Sequence, residues 1–431
     1  MPNFLSGAKL AAFWDGLRSS FWFLPSTMAG AAFGLSFLLV AMDRWLGTEA
    51  AHEIGWLDAF GPEGARSILA AIAGSMITVA GLTFSMTMLT LQLASSQFGP
   101  RLLRNFMRDR GYQIALGTFT ATFVYCLLVL RTVRGTEGSH FVPQVAVAFG
   151  VFLALASIAV LIFFIHHVAK SIRIETLLAD LAAETRDAVD RLYPEMIGDD
   201  QPPSQDTRSD SLIPANFESD ARLIRSVTTG YVQRVDVDTL MQVATEHGLI
   251  VRIEQAPGKF IMDGDALLSV YPEVAVPDEV ADQLRGALIV GQERTPDQDL
   301  EFSIRRIVEI AQRALSPGIN DPTTALYCID RLGETFSRIA ERDTPSSLRF
   351  DEKRRLRIVT EVRTLAELAC PALAAVARYG IADADVVAKL LGTIDMLIHR
   401  APPADAKAIS DIKEVILRES RSQSKLAAGP E

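Results

Sequence analysis

The stretch "AGSMITVAGLTFSMTMLTLQLASSQ", Ala73 to Gln97, decides how the rest of the chain is read. It is long and apolar enough to cross about 30 Å of hydrocarbon. It also carries Ser75, Thr78, Thr83, Ser85, Thr87, Thr90, Gln92, Ser95 and Ser96. At 100° per residue, Gly74, Thr78, Gly81, Ser85, Met88, Gln92, Ser95 and Ser96 fall along one face of a helix. Thr83, Thr87 and Thr90 gather on the opposite side. A narrow, small and uncharged polar face admits three readings. It packs closely against another helix, where small residues let backbones approach. It lines a water-filled path, as hydroxyls and amides do in channel walls. Or it holds a lipid or small ligand. Thr78, Gly81, Ser85, Gln92 and Ser96 are the candidate residues on this face.

Three further stretches have spanning length, which sets the fold class: a mainly α membrane protein of four transmembrane helices. The spans lie near 21–42, 68–93, 114–130 and 142–168. The first is too long for the apolar core of a signal peptide and reads as a retained anchor. None of the four has a charge near its centre. Coupled carriers and proton pumps usually need one at depth, so their absence argues against coupled transport. His166 and His167 fall at a membrane edge, where they are interfacial or sense pH.

Charge separates the chain into two parts. The net charge is −10 and the mean hydropathy +0.21. Residues 1–168 hold 10 Lys and Arg against 8 Asp and Glu, and the remainder 32 against 44. The front is a hydrophobic block and the back an acidic soluble domain. With no large basic surface, nucleic acid is excluded as a partner. Cys126, Cys328 and Cys370 show neither metal-ligand nor disulfide spacing, which fits a reducing compartment.

The loop "FGPRLLRNFMRDRGYQ" places Arg101, Arg104 and Arg108 on one helical face, an anchor for lipid headgroups. This loop outweighs its neighbours in positive charge, so it is assigned to the cytoplasm, with both termini. The expected location is a bacterial inner membrane, multi-pass, with the acidic domain cytoplasmic. Trp22 and Tyr112 fall near the inner boundary, Trp45 and Trp56 near the outer, as in aromatic belts.

Beyond the fourth span the helical pattern is expected to continue over 169–194 as an amphipathic stalk. Ile174, Leu177, Leu178, Leu181, Val189 and Leu192 recur at helical spacing, and Pro194 ends it. Residues 195–216 are rich in Pro, Asp and Ser and read as a linker. Residues 217–275 alternate β-prone runs with Pro257-Gly258 and Asp263-Gly264 turns, a small β module with one short helix over Asp238–His247. Within it "APGKFIMDGDALLSVYP" resembles the strand–turn–strand of the lipoyl-type hybrid barrel. Lys259 is not at the hairpin tip that carries lipoate or biotin there, so no cofactor is expected. Residues 276–420 read as a helical cytoplasmic domain, followed by a flexible tail over 421–431. Together these make the soluble part an α+β domain.

Two turns in that helical region hold polar clusters. Arg294, Asp297, Gln298 and Asp299 precede a helix starting near Leu300. Gly318, Asn320, Asp321 and Pro322 separate two helices. The plain reading is capping: Asp297 or Asp299 starts one helix, Asp321-Pro322 starts the next, and Gly318 takes a left-handed position. The functional reading is a pocket where the turns meet, built from Arg294, Asp299, Asn320 and Asp321. No metal site is indicated.

Two phrases, "TFSMTMLTLQLASSQFGPRLLRNFMRDR" and "RTPDQDLEFSIRRIVEIAQRALSPGINDPTTA", resemble a bacterial family of predicted integral-membrane proteins classed only as a domain of unknown function, the DUF-2254 type. The resemblance implies a polytopic inner-membrane protein with a soluble C-terminal half. It implies no activity, substrate or catalytic residue. Enzyme signatures are missing: no P-loop, no G-x-S-x-G, no H-E-x-x-H and no dinucleotide fingerprint. An enzyme is therefore not expected. The leading expectation is a homo-oligomeric pore or channel-like protein for ions or small solutes, surrounded by membrane lipid. Its soluble half would assemble and gate it, and its acidic outer loop would concentrate cations. The alternative is a membrane-anchored sensor or scaffold that binds a small ligand and transports nothing.

Overall fold

The computed structural model describes residues 20–52, 61–98, 109–136, 139–171, 173–193 and 212–427. The chain divides into two compact units, Met1–Arg173 and Ile174–Glu431.

The first unit contains four helices long and apolar enough to cross a membrane. They are α1 (Phe23–His52), α2 (Pro62–Phe98), α3 (Arg110–Thr132) and α4 (Gln144–Ser171). A short antiparallel pair, β1 (Arg134–Thr136) and β2 (Ser139–Phe141), joins α3 to α4. Helix α3 is the hub and packs against the other three. Half of its apolar window is buried inside the unit, against 22–28% for the others. Its inward residues Tyr112, Ala115, Phe119, Tyr125, Cys126 and Val129 are the centre of the packing.

Polar groups at depth are satisfied inside the unit, as hydrocarbon demands. The Thr122 and Ser157 hydroxyls meet at 3.2 Å, and Tyr125 donates to the Ala146 carbonyl at 2.8 Å. At one end Asp43 of α1 accepts from the Val145 and Ala146 amides, both at 3.0 Å. A carboxylate thereby caps the first turn of α4. Arg66 of α2 closes the same end by donating to Val133 O at 3.0 Å. Trp22 and Trp45 flank the α1 span and are both exposed, as belt residues are. Tyr112 is not such a residue: it is buried, and its hydroxyl meets that of Ser171 at 2.6 Å. Trp56 lies outside the described residues.

Helix α4 ends at Ser171 and a separate helix, α5 (Ile174–Leu192), begins the second unit, so the expected continuous rod is interrupted. The apolar side of α5 carries Leu177, Leu178, Leu181, Ala188 and Val189, all buried. It packs on α9 (Leu300–Ala314) and α10 (Pro322–Ala340). Ion pairs fasten its other positions: Arg186 to Glu334 at 2.8 Å, Glu184 to Arg306 at 2.8 Å, and Asp190 to Arg338 and Arg342, both at 2.7 Å.

Most of the expected linker, residues 194–211, lies outside the described residues. After it come α6 (Phe217–Asp220), β3 (Arg222–Arg225), β4 (Gly230–Val235), α7 (Val237–His247), β5 (Ile250–Ile253), β6 (Phe260–Ile261), β7 (Ala266–Tyr271), α8 (Asp278–Gly286) and β8 (Leu288–Gly291). The strands form two sheets, β3-β7-β5-β10-β9 and β6-β4-β8, where β9 is Leu348–Phe350 and β10 is Leu356–Val359. The segment expected to be helical thus contributes β8, β9 and β10. Strand β10 runs parallel to β5, with Ile358 opposite Val251. The strands of the hybrid-barrel phrase, β6 and β7, belong to different sheets. Leu240, Leu249, Val251, Leu268, Val270, Leu284 and Ile358 form the shared core.

The helical layer is completed by α11 (Leu365–Gly380), α12 (Ala384–Arg400) and α13 (Pro403–Ala427). Helix α13 runs past residue 421, where a flexible tail was expected; residues 428–431 lie outside the described residues.

Candidate functional site

The membrane candidates lie on α2. Its packed side is the row Ala65, Leu69, Ala73, Met76, Ala80, Thr83, Thr87 and Thr90, all buried in the bundle. Hydroxyls on that side bond back into the helix: Thr87 to Thr83 O at 2.8 Å, Thr90 to Met86 O at 2.9 Å. The second polar face is exposed. Gly74, Thr78, Gly81, Ser85 and Gln92 are all exposed, on the side of α2 away from the other described helices of this unit. At 100° per residue the two faces are about 160° apart. A Cβ added at Gly74 or Gly81 would meet nothing within 4 Å. Among the described residues, no helix of the same chain packs against this face at Gly74 or Gly81. Thr78 donates to Gly74 O at 2.9 Å, so its proton needs no outside acceptor while its oxygen stays accessible. Exposed Ile77, Leu82, Phe84 and Leu89 border the strip. The Ser96 side chain and Arg101, Arg104 and Arg108 lie outside the described residues.

The two membrane-edge histidines are not equivalent. His166 is exposed. His167 Nε2 lies 2.8 Å from Asp109 Oδ2, and the other oxygen of Asp109 accepts from Gly111 N at 2.7 Å. One carboxylate thus caps α3 and ties it to the last turns of α4. A Cβ at position 111 would lie 2.4 Å from His167 Nε2, so this contact requires glycine there.

In the second unit the four pocket candidates separate into two pairs. Arg294 and Asp299 form a two-pronged ion pair, Nε to Oδ2 at 2.7 Å and Nη2 to Oδ1 at 2.9 Å. Asp299 is buried and also caps α9, accepting from Phe302 N at 3.0 Å. The Arg294 guanidinium lies over the Phe302 ring at 5.4 Å. Gly258 presses on the pair with φ +90°, and a Cβ there would lie 2.1 Å from Asp299 Oδ2. Only glycine suits both the left-handed backbone and the contact.

Asn320 and Asp321 stand at the opposite end of α9. Fifteen residues of helix, about 22 Å at 1.5 Å per residue, keep the turns apart. Asp321 caps α10, accepting from Thr324 N at 3.1 Å and Thr324 Oγ1 at 2.6 Å. The left-handed residue of this turn is Asn320 (φ 50°), not Gly318. Asparagine adopts that backbone more readily than other residues with a Cβ, and its backbone N–H donates to Ser316 O at 2.9 Å. A pocket joining all four residues is thereby excluded, while Arg294 and Asp299 do wall a cavity.

Pattern reading missed the Asp43 and Asp109 caps and the cavity's other cations, Lys259, Arg349 and Arg363. Single acids and arginines carry no periodic signal, and the contacts of Asp43 and Asp109 with α4 join residues 58 to 103 positions apart. Among the described residues no group of three or more His, Cys, Asp or Glu side chains could hold a metal.

A family model described as "Predicted membrane protein (DUF2254)" matches residues 18–396. An uncharacterized protein of Mycobacterium bovis and two of Mycobacterium tuberculosis, from different strains, are each 34% identical over 384 residues. The match covers 88% of this chain and 71% of each relative. No solved structure matches. The chain belongs to the DUF2254 family of predicted membrane proteins.

Proposed function

We propose that this family member is a homo-oligomeric pore of the bacterial inner membrane for ions or small polar solutes, in which copies meet around the outward face of α2. The observation that carries the reading is that face itself. Gly74, Thr78, Gly81, Ser85 and Gln92 are exposed along most of the span, on the side of α2 away from the other described helices of its unit. Facing lipid, the Gln92 amide would lose hydrogen bonds without compensation. Facing other copies, glycines and hydroxyls allow close approach, and the oxygens that remain free can solvate a passing solute. The strip carries no fixed charge, so selectivity by charge would be weak. The second unit and both termini are assigned to the cytoplasm on the Arg101–Arg110 cluster.

The test uses purified full chain reconstituted in liposomes. Single cysteines at 78, 81 and 85 should react with a water-soluble maleimide, and modification should lower dye or ion flux. Crosslinking through Gly81→Cys should give a closed ladder of fixed subunit number. Reaction only with lipid-partitioned reagents, together with zero flux, refutes the pore; a crosslinked ladder without flux retains the oligomer and removes conduction.

A further inference from the structure

A cavity of about 340 Å3 opens between the sheets and helices of the second unit. That volume lies within the range of small-ligand sites. Its apolar wall includes Val235, Ile253, Leu300 and Leu368. Its charged wall is not balanced group by group. Arg294 is neutralised by Asp299, and Arg363 by Glu361 at 3.3 Å. Glu301, exposed at the rim, acts on Arg294 through space. That leaves Lys259 and Arg349, neither of which has a carboxylate partner among the described residues.

Arg349 is the informative one. It is only partly exposed, and its Nη1 is taken up by the carbonyls of Ser346 and Leu348. No described residue accepts from Nε or Nη2, the edge of a guanidinium that binds carboxylates and phosphates in parallel. Burial holds this guanidinium below the ordinary arginine range, with no neighbouring acid to offset it. An uncompensated, partly desolvated cation costs free energy that an anionic ligand would recover.

We propose that this cavity binds a small organic anion, a carboxylate or phosphate attached to an apolar body, with Arg349 as the primary anchor and Lys259 as the second cation. The site is contained in the second unit and does not depend on whether α2 lines a pore.

The experiment is calorimetric titration of the full chain in detergent micelles with phenyl phosphate, benzoate, benzyl alcohol, benzylamine and inorganic phosphate. Phenyl phosphate and benzoate should bind, and benzyl alcohol and benzylamine should not. Arg349→Gln should weaken the anions by about tenfold or more, the usual scale for losing one partner of a desolvated charge pair. Val237→Trp, at the cavity rim, should do the same by occlusion. Lys389→Gln, outside the cavity, should change nothing. Equal binding of benzyl alcohol and benzoate, wild-type affinity in Arg349→Gln, or no anion binding overturns the proposal. Inorganic phosphate binding as tightly as phenyl phosphate overturns its apolar half. If Arg349→Gln loses native hydrogen exchange, the benzoate-to-benzyl-alcohol comparison and Val237→Trp decide between the same outcomes.

Discussion

Asp299→Ala should destabilise the second unit more than any other single change of a polar residue at the cavity. Two losses combine. The N-cap acceptor of α9 disappears, which costs about 0.5–2 kcal/mol. The two-pronged bond to Arg294 disappears as well, and charged hydrogen bonds are worth about 1.5–3 kcal/mol. Asp299 has 3% of its side chain exposed and Arg294 27%, so water recovers part of the arginine's hydration. The net expectation is about 2–4 kcal/mol, or roughly 5–15 °C in melting temperature for a unit of this size. Asp299→Asn retains a capping oxygen and removes only the charge, so it should cost about half as much. Hydrogen exchange of full-length protein along a urea series, followed on peptides covering 256–302, reads both values. Equal loss in the Ala and Asn variants, or less than about 1 kcal/mol in Ala, would refute this account of the turn.

Asp43→Ala should uncap α4 at the Val145 and Ala146 amides and lower resistance of the membrane unit to unfolding in SDS by about 1–2 kcal/mol. Leu181→Ala, on the buried side of α5, should cost the second unit about 2–5 kcal/mol in urea melts. The Arg338 hydrogen bond, with Arg342 and Arg186 nearby, holds Asp190 below the usual carboxylate range. Its contribution is therefore present above about pH 4 and lost as pH falls through the lowered value, and Asp190→Asn should flatten that part of a melting-temperature profile between pH 7 and 3. Burial pushes the Cys328 thiol up to about 12 and Cys370 up to about 11, so N-ethylmaleimide at pH 8 should modify both slowly in folded protein and fast in urea, as counted by mass spectrometry.

The four spans are legible because twenty apolar residues in a row have few other physical uses. Helix periodicity also showed that α2 has two polar sides. It could not show which side faces the bundle, because a helical wheel has no compass until Leu69 and Met76 find their neighbours on other helices. Capping at Asp299 and Asp321 was readable from local chemistry. A pocket joining them fails on distance, because the fifteen residues of α9 separate two turns whose compositions are alike. The β10–β5 pairing stayed hidden for a different reason. Ile358 and Val251 are more than a hundred positions apart, and a short apolar run such as Leu356–Val359 has no period long enough to mark it as a strand.

The length of α2 has a mechanical consequence. Thirty-seven residues make a rod of about 55 Å, against about 30 Å of acyl chain to be crossed. Lying wholly within that layer would require a tilt near 57°, beyond the range of 0–40° that such helices adopt. Several turns must stand among headgroups or in water at every permitted inclination. A thicker or thinner bilayer will therefore change which turns are wetted rather than whether the rod fits, and the level of Thr78 and Gly81 will follow the lipid.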